Sequence, residues 1–204
     1  MGRADFLFNY VHECAYMNTS GQAFDVAVIG AGQAGLACGW HLKQQGLNFL
    51  ILDEQSQPGG NWRNYYDSLE LFSPAAYSAL PGMPFPGLPS HYPVRDEVVR
   101  YLEQYADLFQ LPISLGVQVT RVDQQDEGFQ ITAANGQRFL ARAVVVASGA
   151  FSLPYTPNIP GLESFSGTRL HSADYRNAKA FSGQRIVVIG AANSAVQIAY
   201  DLAK

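Results

Sequence analysis

Two short segments rich in glycine and alanine have the residue types and spacing that bind the phosphates of a dinucleotide. In such a GxGxxG loop the first glycine makes a tight turn, the second lets the backbone approach a pyrophosphate, and the third allows a helix to pack closely on a strand. The N–H groups at the start of that helix then bind the phosphates. The first segment fits the pattern throughout and consists of Gly30, Ala31, Gly32, Gln33, Ala34 and Gly35.

The second segment, residues 190–195, keeps Gly190 but departs from the pattern at two positions. Ala195 is a tolerated variant of the third glycine. Ala192 replaces the second glycine, and its methyl group stands where the backbone should approach a pyrophosphate. We therefore expect displaced or weaker phosphate contacts in this second site, made by Asn193 and Ser194 at the start of the next helix.

A buried strand before each loop and a helix after it are needed to position these residues. Residues 24–29 and 48–52 are short apolar runs that predict two strands, and residues 33–45 predict a helix between them. This βαβ unit requires parallel strands with a right-handed crossover. Asp53 follows the second strand, where it can accept hydrogen bonds from a ribose diol and would repel a 2′-phosphate. The first site should therefore bind FAD or NAD rather than NADP.

The middle of the chain predicts irregular structure followed by a helix and antiparallel strands. Residues 55–93 are broken by many prolines and glycines, and residues 95–109 then resume the spacing of a helix. Around the turn signal Asn135-Gly136, short strands are predicted at residues 117–122, 128–133 and 137–141. Residues 143–147 return to a fully buried strand. The predicted fold class is α/β, with a Rossmann-like nucleotide-binding domain that carries a small antiparallel β excursion.

The end of the chain predicts the start of a second domain. Residues 185–189 predict a strand, and a helix is expected from about Asn193 to the end of the chain. Because one strand and one helix cannot bury their own apolar faces, we expect the chain to be part of a longer protein. The expected division is a disordered tail at 1–23, a first domain at 24–160, and a linker with the beginning of a second Rossmann-like, NAD(P)-binding domain at 161–204.

Composition and charge favour small-molecule ligands. The net charge of −4 and the lack of a run of Lys or Arg argue against binding to nucleic acid or to an anionic membrane. No apolar run approaches the roughly 18 residues that span a bilayer, so we expect a cytoplasmic protein. Cys14 and Cys38 lie far apart and form neither a CxxC pair nor a zinc-ligand set, so we expect two free thiols and no metal site.

Two further segments favour FAD over NAD in the first site. Residues 59–62 follow the second predicted strand and resemble the GGxW segment of flavoproteins, with Gly60, Asn61 and Trp62 as expected cofactor contacts. Residues 147–149, which end in Gly149, resemble the ATG-like strand end at which such flavoproteins leave the FAD domain.

A motif between the two loops carries a family resemblance. Residues 165–175 match FxGxxxHxxxY, the identifying segment of flavin-containing monooxygenases, at Phe165, Gly167, His171 and Tyr175. With one nucleotide loop before the motif and another after it, residues 24–204 resemble that family. Residues 67–74 and 80–86 are similar to a bacterial subgroup.

The resemblance implies a flavoprotein monooxygenase. In this family NADPH or NADH reduces FAD, O2 adds to the reduced flavin to give a C4a-hydroperoxide, and a small soft-nucleophile substrate takes one oxygen atom. Ser73 stands near the position of an active-site Asn in many members, and His171 has a motif position near the nicotinamide site, so both are candidate catalytic residues. The expected partners are a small-molecule substrate and O2, and a homo-oligomer is left open.

Three alternatives stay open at this point. A disulfide reductase also has two nucleotide loops, but it needs a CxxC pair that these residues lack. The remaining alternatives are a flavin-binding or truncated protein without activity and a different NAD(P)H-flavin oxidoreductase.

Overall fold

The computed structural model describes residues 15–16, 23–151 and 153–204. Cys14 and most of the expected tail at residues 1–23 lie outside the described residues. Two residues of that segment, Ala15–Tyr16, form a short strand, β1, which pairs in parallel with Arg138 and Phe139.

The first βαβ unit forms as the sequence predicts. It consists of β2 at Phe24–Ile29, α1 at Gln33–Gln44 and β3 at Phe49–Leu52. The two strands are parallel and in register from the pair Val26 and Phe49 to the pair Ile29 and Leu52. Helix α2, at Arg95–Leu108, begins at the predicted residue and ends one residue early. A short strand that the sequence did not indicate, β4 at Ile113–Ser114, pairs with β3.

The remaining strands extend the same sheet. They are β5 at Val119–Gln125, β6 at Gly128–Ala133 and β7 at Arg138–Val146, and along the sheet the order is β4-β3-β2-β7-β6-β5. The prediction of separate strands at 137–141 and 143–147 is wrong, because β7 is continuous through Arg142. One half of β7 pairs antiparallel with β6, and the other half pairs in parallel with β2. The charged side chain of Arg142 is 76% exposed, so it does not interrupt the strand.

Successive residues of β2 point to opposite faces of the sheet and serve two separate cores. On one face Val26 and Val28 pack with α1 and α2, where Tyr101 and Tyr105 are fully buried. On the other face Ala27 packs with residues of the β6 and β7 strands, namely Ile131, Phe139 and Ala141. Both faces of the central strand are therefore buried, as a parallel sheet requires.

Helix α2 also holds the proline-rich segment. Tyr101 accepts a hydrogen bond from the Leu80 N–H at 2.7 Å and donates one to the Met83 carbonyl at 2.7 Å. The Tyr105 hydroxyl donates to the Pro81 carbonyl at 2.6 Å. Two phenol groups one helical turn apart thus bind residues 80–83 of the segment 55–93.

The end of the chain differs from the prediction in one respect. Helix α3, at Asn193–Leu202, begins at the predicted residue, but residues 185–189 form no strand. A strand needs a neighbour for its backbone N–H and C=O groups, and among the described residues none pairs with this segment. The side chains of Val187 and Ile189 are accordingly 85% and 68% exposed.

Within the described ranges, no helix has the length and apolar character needed to cross a membrane. The same residues contain no group of three or more His, Cys, Asp or Glu side chains placed to hold a metal ion.

Candidate nucleotide-binding site

The first glycine loop leaves the carboxyl end of β2 through a turn that requires glycine. Gly30 has φ +109°, a conformation that other residues rarely adopt, and a Cβ atom there would lie 2.4 Å from the Ala147 carbonyl oxygen. The Ala147 N–H donates to the Ile29 carbonyl at 2.8 Å, which holds the end of β7 beside the loop. Gly149, with φ +80°, follows at this edge of the sheet.

Gly35 serves the packing role that the pattern assigns to the third glycine. A Cβ atom at Gly35 would lie 1.8 Å from the Gly30 carbonyl oxygen. Helix α1 therefore packs directly on its own loop, and any side chain larger than hydrogen would push the two apart.

Gly32 is the open position of the loop. A Cβ atom at Gly32 would meet no other atom within 4 Å. Gly32 is also the N-cap of α1, and no side chain caps this helix. The free space thus lies directly beside the positive end of a helix dipole, which is where a phosphate group binds best.

The GGNW segment lies against this loop. Gly59 donates its N–H to the Ala31 carbonyl at 2.9 Å, and the Trp62 indole N–H donates to the Gln33 side-chain oxygen at 2.8 Å. A Cβ atom at Gly60, which has φ +58°, would stand 3.0 Å from the Gly32 Cα. The side chain of Asn61 accepts a hydrogen bond from Asn64 within the same turn. Two segments predicted separately from the sequence therefore form one site.

Asp53 is a buried carboxylate at the end of β3, with 6% of its surface exposed. One of its oxygens accepts a hydrogen bond from the Ala31 N–H, and the other accepts from the Gln55 N–H at 2.8 Å. Asp53 thus holds the second residue of the glycine loop in place. Binding of a ribose diol by the same carboxylate stays a prediction.

The second loop is exposed and less constrained than the first. Gly190 has φ +138°, and a Cβ atom there would lie 3.3 Å from the Ala195 Cβ. Ala192 is the N-cap of α3, and Asn193 is exposed at the first position of the helix. Burial raises the pKa of Tyr66, and the nearby Ser194 side chain lowers it in part.

The FxGxxxHxxxY motif has a structural role for each of its residues. The ring of Phe165 lies where a Cβ atom of Gly167 would stand, at 2.5 Å. His171 accepts a hydrogen bond from the Ala173 N–H at 3.1 Å through Nδ1 and so closes a local turn. Tyr175 is 3% exposed, and its hydroxyl donates to Asp201 of α3 at 2.6 Å. Burial is the largest cause that raises the pKa of Tyr175, so its hydroxyl stays protonated and remains a donor.

Ser73 lies in the proline-rich segment, away from the glycine loop in sequence. Its Oγ is 3.0 Å from the Ser78 Oγ, and the Ser78 hydroxyl also lies within hydrogen-bond distance of the carbonyls of Ser73 and Pro74. The hydrogen bonds described for Ser73 and His171 are thus local to their own turns and do not join one to the other.

The sequence did not predict a cluster of polar and charged side chains that is centred on Asp67. The carboxylate of Asp67 accepts from the Asn177 amide at 2.8 Å and from Arg95 at 2.6 Å. These partners hold the pKa of Asp67 below its ordinary value, with the Asn177 hydrogen bond as the largest cause. Arg176 also donates to the Asn64 carbonyl. Contacts between residues 28 to 112 positions apart leave no local pattern that could reveal them.

Cys38, in the part of the chain that the structure describes, is a free cysteine. Burial raises the pKa of its thiol, so the thiol is less ionised than an exposed one at neutral pH. The expectation for Cys14 lies outside the described residues.

A glycine loop at the carboxyl end of a parallel βαβ unit, open beside a helix N-terminus, defines a dinucleotide-binding protein. A family model described as pyridine nucleotide-disulphide oxidoreductase matches residues 27–204, and the chain belongs to that family.

Among solved structures the chain is similar to the flavin-containing monooxygenase from Stenotrophomonas maltophilia, at 44% identity and a TM-score of 0.84 over 89% of this chain and 55% of that one. This similarity confirms the family resemblance stated from the motif. Among curated proteins the chain is 45% identical to a Geobacillus kaustophilus protein named "Uncharacterized oxidoreductase CzcO-like", over 88% of this chain and 51% of that protein.

A more distant relative is the indole-3-pyruvate monooxygenase YUCCA1 of Oryza sativa subsp. japonica. It is 31% identical over 87% of this chain and 44% of its own length. The chain thus spans about half the length of the curated relatives it matches.

Proposed function

We propose that this protein is a monooxygenase that uses FAD and NADPH or NADH to transfer one oxygen atom of O2 to a small soft-nucleophile substrate. The proposal depends on one observation, which is that residues 30–35 and residues 59–62 contact each other beside an open space. The backbone of Gly59 binds Ala31, and Trp62 binds Gln33, while the side of Gly32 that a Cβ would occupy stays free.

The residues around Gly32 fit a flavin dinucleotide. The free space beside the Gly32 Cα and the uncapped start of α1 suit a pyrophosphate, and we assign its binding to the backbone of residues 32–35. Asp53, one residue beyond β3, is assigned to the ribose. Asn61 and Trp62 are assigned to the wall that covers the cofactor and excludes water. When bound and reduced by a nicotinamide cofactor, FAD would supply the activation of O2.

The second loop is assigned to the nicotinamide cofactor. Gly190 precedes α3, and Asn193 and Ala195 lie in its first turn, where the backbone N–H groups that lack a partner within the helix suit a pyrophosphate. His171 is assigned to the edge of this nicotinamide site and Ser73 to the substrate side. Neither residue is given a proton-transfer step, because the hydrogen bonds described for each stay within its own turn.

The relatives favour oxygen transfer over disulfide reduction. Similarity to two proteins named as monooxygenases supports the first reaction. Disulfide exchange requires a reactive thiolate, and burial raises the pKa of the Cys38 thiol, which disfavours that form.

The test uses the full-length protein purified with its flavin. NADPH and NADH are added without oxygen while the flavin absorbance is followed, and isotopically labelled O2 is then admitted with candidate amine or sulfide substrates. We expect the flavin to be reduced by the nicotinamide cofactor and one labelled oxygen atom to appear in the product. A protein that binds no flavin, or one that yields only hydrogen peroxide with every substrate, would contradict the proposal.

A further inference from the structure

The side-chain amide of Gln197 joins helix α3 to residues 66–70 by hydrogen bonds from both its nitrogen and its oxygen. The Gln197 amide donates to the Glu70 carbonyl at 2.8 Å, and its oxygen accepts from the Glu70 N–H at 3.1 Å. The Tyr66 hydroxyl donates to the same oxygen at 3.1 Å. A glutamine that binds both the N–H and the C=O of one residue is fixed in a single orientation, as a neighbouring strand would be.

The rest of the contact lies on the same face of α3. Ser194 lies close enough to the Tyr66 hydroxyl to lower its pKa in part, and Asp201 accepts a hydrogen bond from Tyr175 at 2.6 Å. Ile198 is 6% exposed and packs with the rings of Tyr66 and Tyr175. Residues at positions i, i+3, i+4 and i+7 share one side of a helix. These four side chains therefore fix the rotation of α3 about its own axis as well as its position.

Each side of this contact is connected to one of the two candidate nucleotide loops. The segment from Tyr66 to Glu70 follows the turn Gly60–Asn64, which carries Trp62 and lies on the first glycine loop. Gln197 lies one turn into the helix that the second loop opens. The path from one loop to the other therefore runs through a short chain of direct contacts.

We infer that Gln197 is a positioning residue, which holds the second nucleotide loop in a fixed orientation to the flavin loop so that nicotinamide can reach flavin. This inference rests on the proposed function.

The test compares Gln197→Leu with Gln104→Leu in the full-length, flavin-loaded protein. Leucine is similar in size to glutamine and removes all three hydrogen bonds of Gln197, whereas Gln104 is an exposed residue of α2. We expect Gln197→Leu to slow anaerobic flavin reduction by saturating NADPH or NADH about tenfold or more, because small errors of position are costly in transfer reactions. Flavin content and reduction by dithionite should equal those of the parent, and Gln104→Leu should change none of these quantities.

Hydrogen exchange supplies a readout that does not depend on activity. Amides of α3 should exchange faster in Gln197→Leu, while those of residues 30–35 should exchange at the parental rate. Tyr66→Phe, which removes one hydroxyl and keeps the ring, serves if Gln197→Leu does not fold, and it should slow flavin reduction by a smaller factor. Parental rates of flavin reduction in Gln197→Leu and in Tyr66→Phe would overturn the inference. A parent protein whose flavin is not reduced by either nicotinamide cofactor would overturn the proposed function itself, and the inference with it.

Discussion

Gly60 lies against one side of Gly32, while the other side of Gly32 is open. A Cβ atom on Gly60 would stand 3.0 Å from the Gly32 Cα, whereas a Cβ atom on Gly32 would meet nothing within 4 Å. The glycine at position 32 is therefore not needed for the packing of the chain. Its role is to leave space, and the space it leaves lies at the start of α1.

Gly32→Ala should separate cofactor binding from folding. Gly32 has φ −75°, which alanine adopts without strain, so the flavin-free protein should change in stability by less than about 1 kcal/mol. FAD should bind at least about tenfold more weakly, a loss of about 1.4 kcal/mol, because the methyl group occupies the space for the pyrophosphate. Thermal unfolding and titration with FAD measure the two effects.

Gly30→Ala is the contrasting variant for this test. It should prevent stable folding, since φ is +109° and the methyl group would lie 2.4 Å from the Ala147 carbonyl oxygen. If Gly32→Ala retained parental FAD affinity, the assignment of the pyrophosphate to this position would be wrong.

Asp53→Ala should lower the stability of the flavin-free protein. The carboxylate accepts hydrogen bonds from the N–H groups of Ala31 and Gln55, and alanine would leave both without that partner. We expect a loss of about 2–4 kcal/mol in the free energy of unfolding, measured by urea denaturation. The adjacent exposed residue serves as the control, and Glu54→Ala should change stability by less than about 0.5 kcal/mol. Parental stability in Asp53→Ala would show that the carboxylate does not support the loop.

Trp62→Phe should weaken FAD binding with little effect on folding. The substitution removes the hydrogen bond to Gln33, which is partly solvated and contributes about 0.5–1 kcal/mol. The matched control is Trp40→Phe, because the Trp40 indole nitrogen is buried and has no hydrogen-bond partner among the described residues. Trp40 and Trp62 are the two tryptophans of these 204 residues, so each variant keeps one of them as a fluorescent reporter. FAD should quench the emission of Trp40→Phe strongly and that of Trp62→Phe weakly, and the reverse pattern would contradict the assignment of Trp62 to the cofactor wall.

Asp67 should make the contact between its own segment and the segment of Asn177 sensitive to acid. Its pKa in the folded protein lies below the ordinary value, first because of the Asn177 hydrogen bond and then because of Arg95. A depressed pKa stabilises the folded state above the unfolded pKa of about 3.9, and this contribution is lost as the pH falls through the folded pKa.

Asp67→Asn should therefore have a lower free energy of unfolding than the parent at neutral pH. On acidification its free energy of unfolding should fall less than that of the parent. The effect at neutral pH should be below about 1 kcal/mol, because the Asp67 side chain is 50% exposed and solvent screens its charge. Asn177→Ala removes the largest cause of the shift, so its acid transition should begin at a higher pH than that of the parent. Urea unfolding at a series of pH values measures both, and identical pH profiles for all three proteins would contradict the assignment.

Much of the fold was predictable because its signals are local. The strand at Phe24–Ile29, the starts of α1, α2 and α3, and the turn at Gly136 all follow from periodicity or from turn chemistry within a few residues. The continuity of β7 was not predictable, since Arg142 interrupts the apolar run and only the partners on either side show that pairing continues. The strand expected at residues 185–189 fails for the same reason, because a strand exists only where a neighbour pairs with it.

The sequence alone indicated where the candidate nucleotide loop lies, because the spacing of Gly30, Gly32 and Gly35 predicts the tight turn and close packing that the structure has at Gly30 and Gly35. The sequence also contains the motif, residues 165–175, that indicated the family. Only the tertiary structure decided that Asp53 supports the loop with both its oxygens, and that Gln197 binds Glu70 across 127 positions of the chain. The physical reason is that a glycine turn depends on its own dihedral angles and immediate contacts, whereas a side-chain hydrogen bond depends on where the fold brings a distant partner.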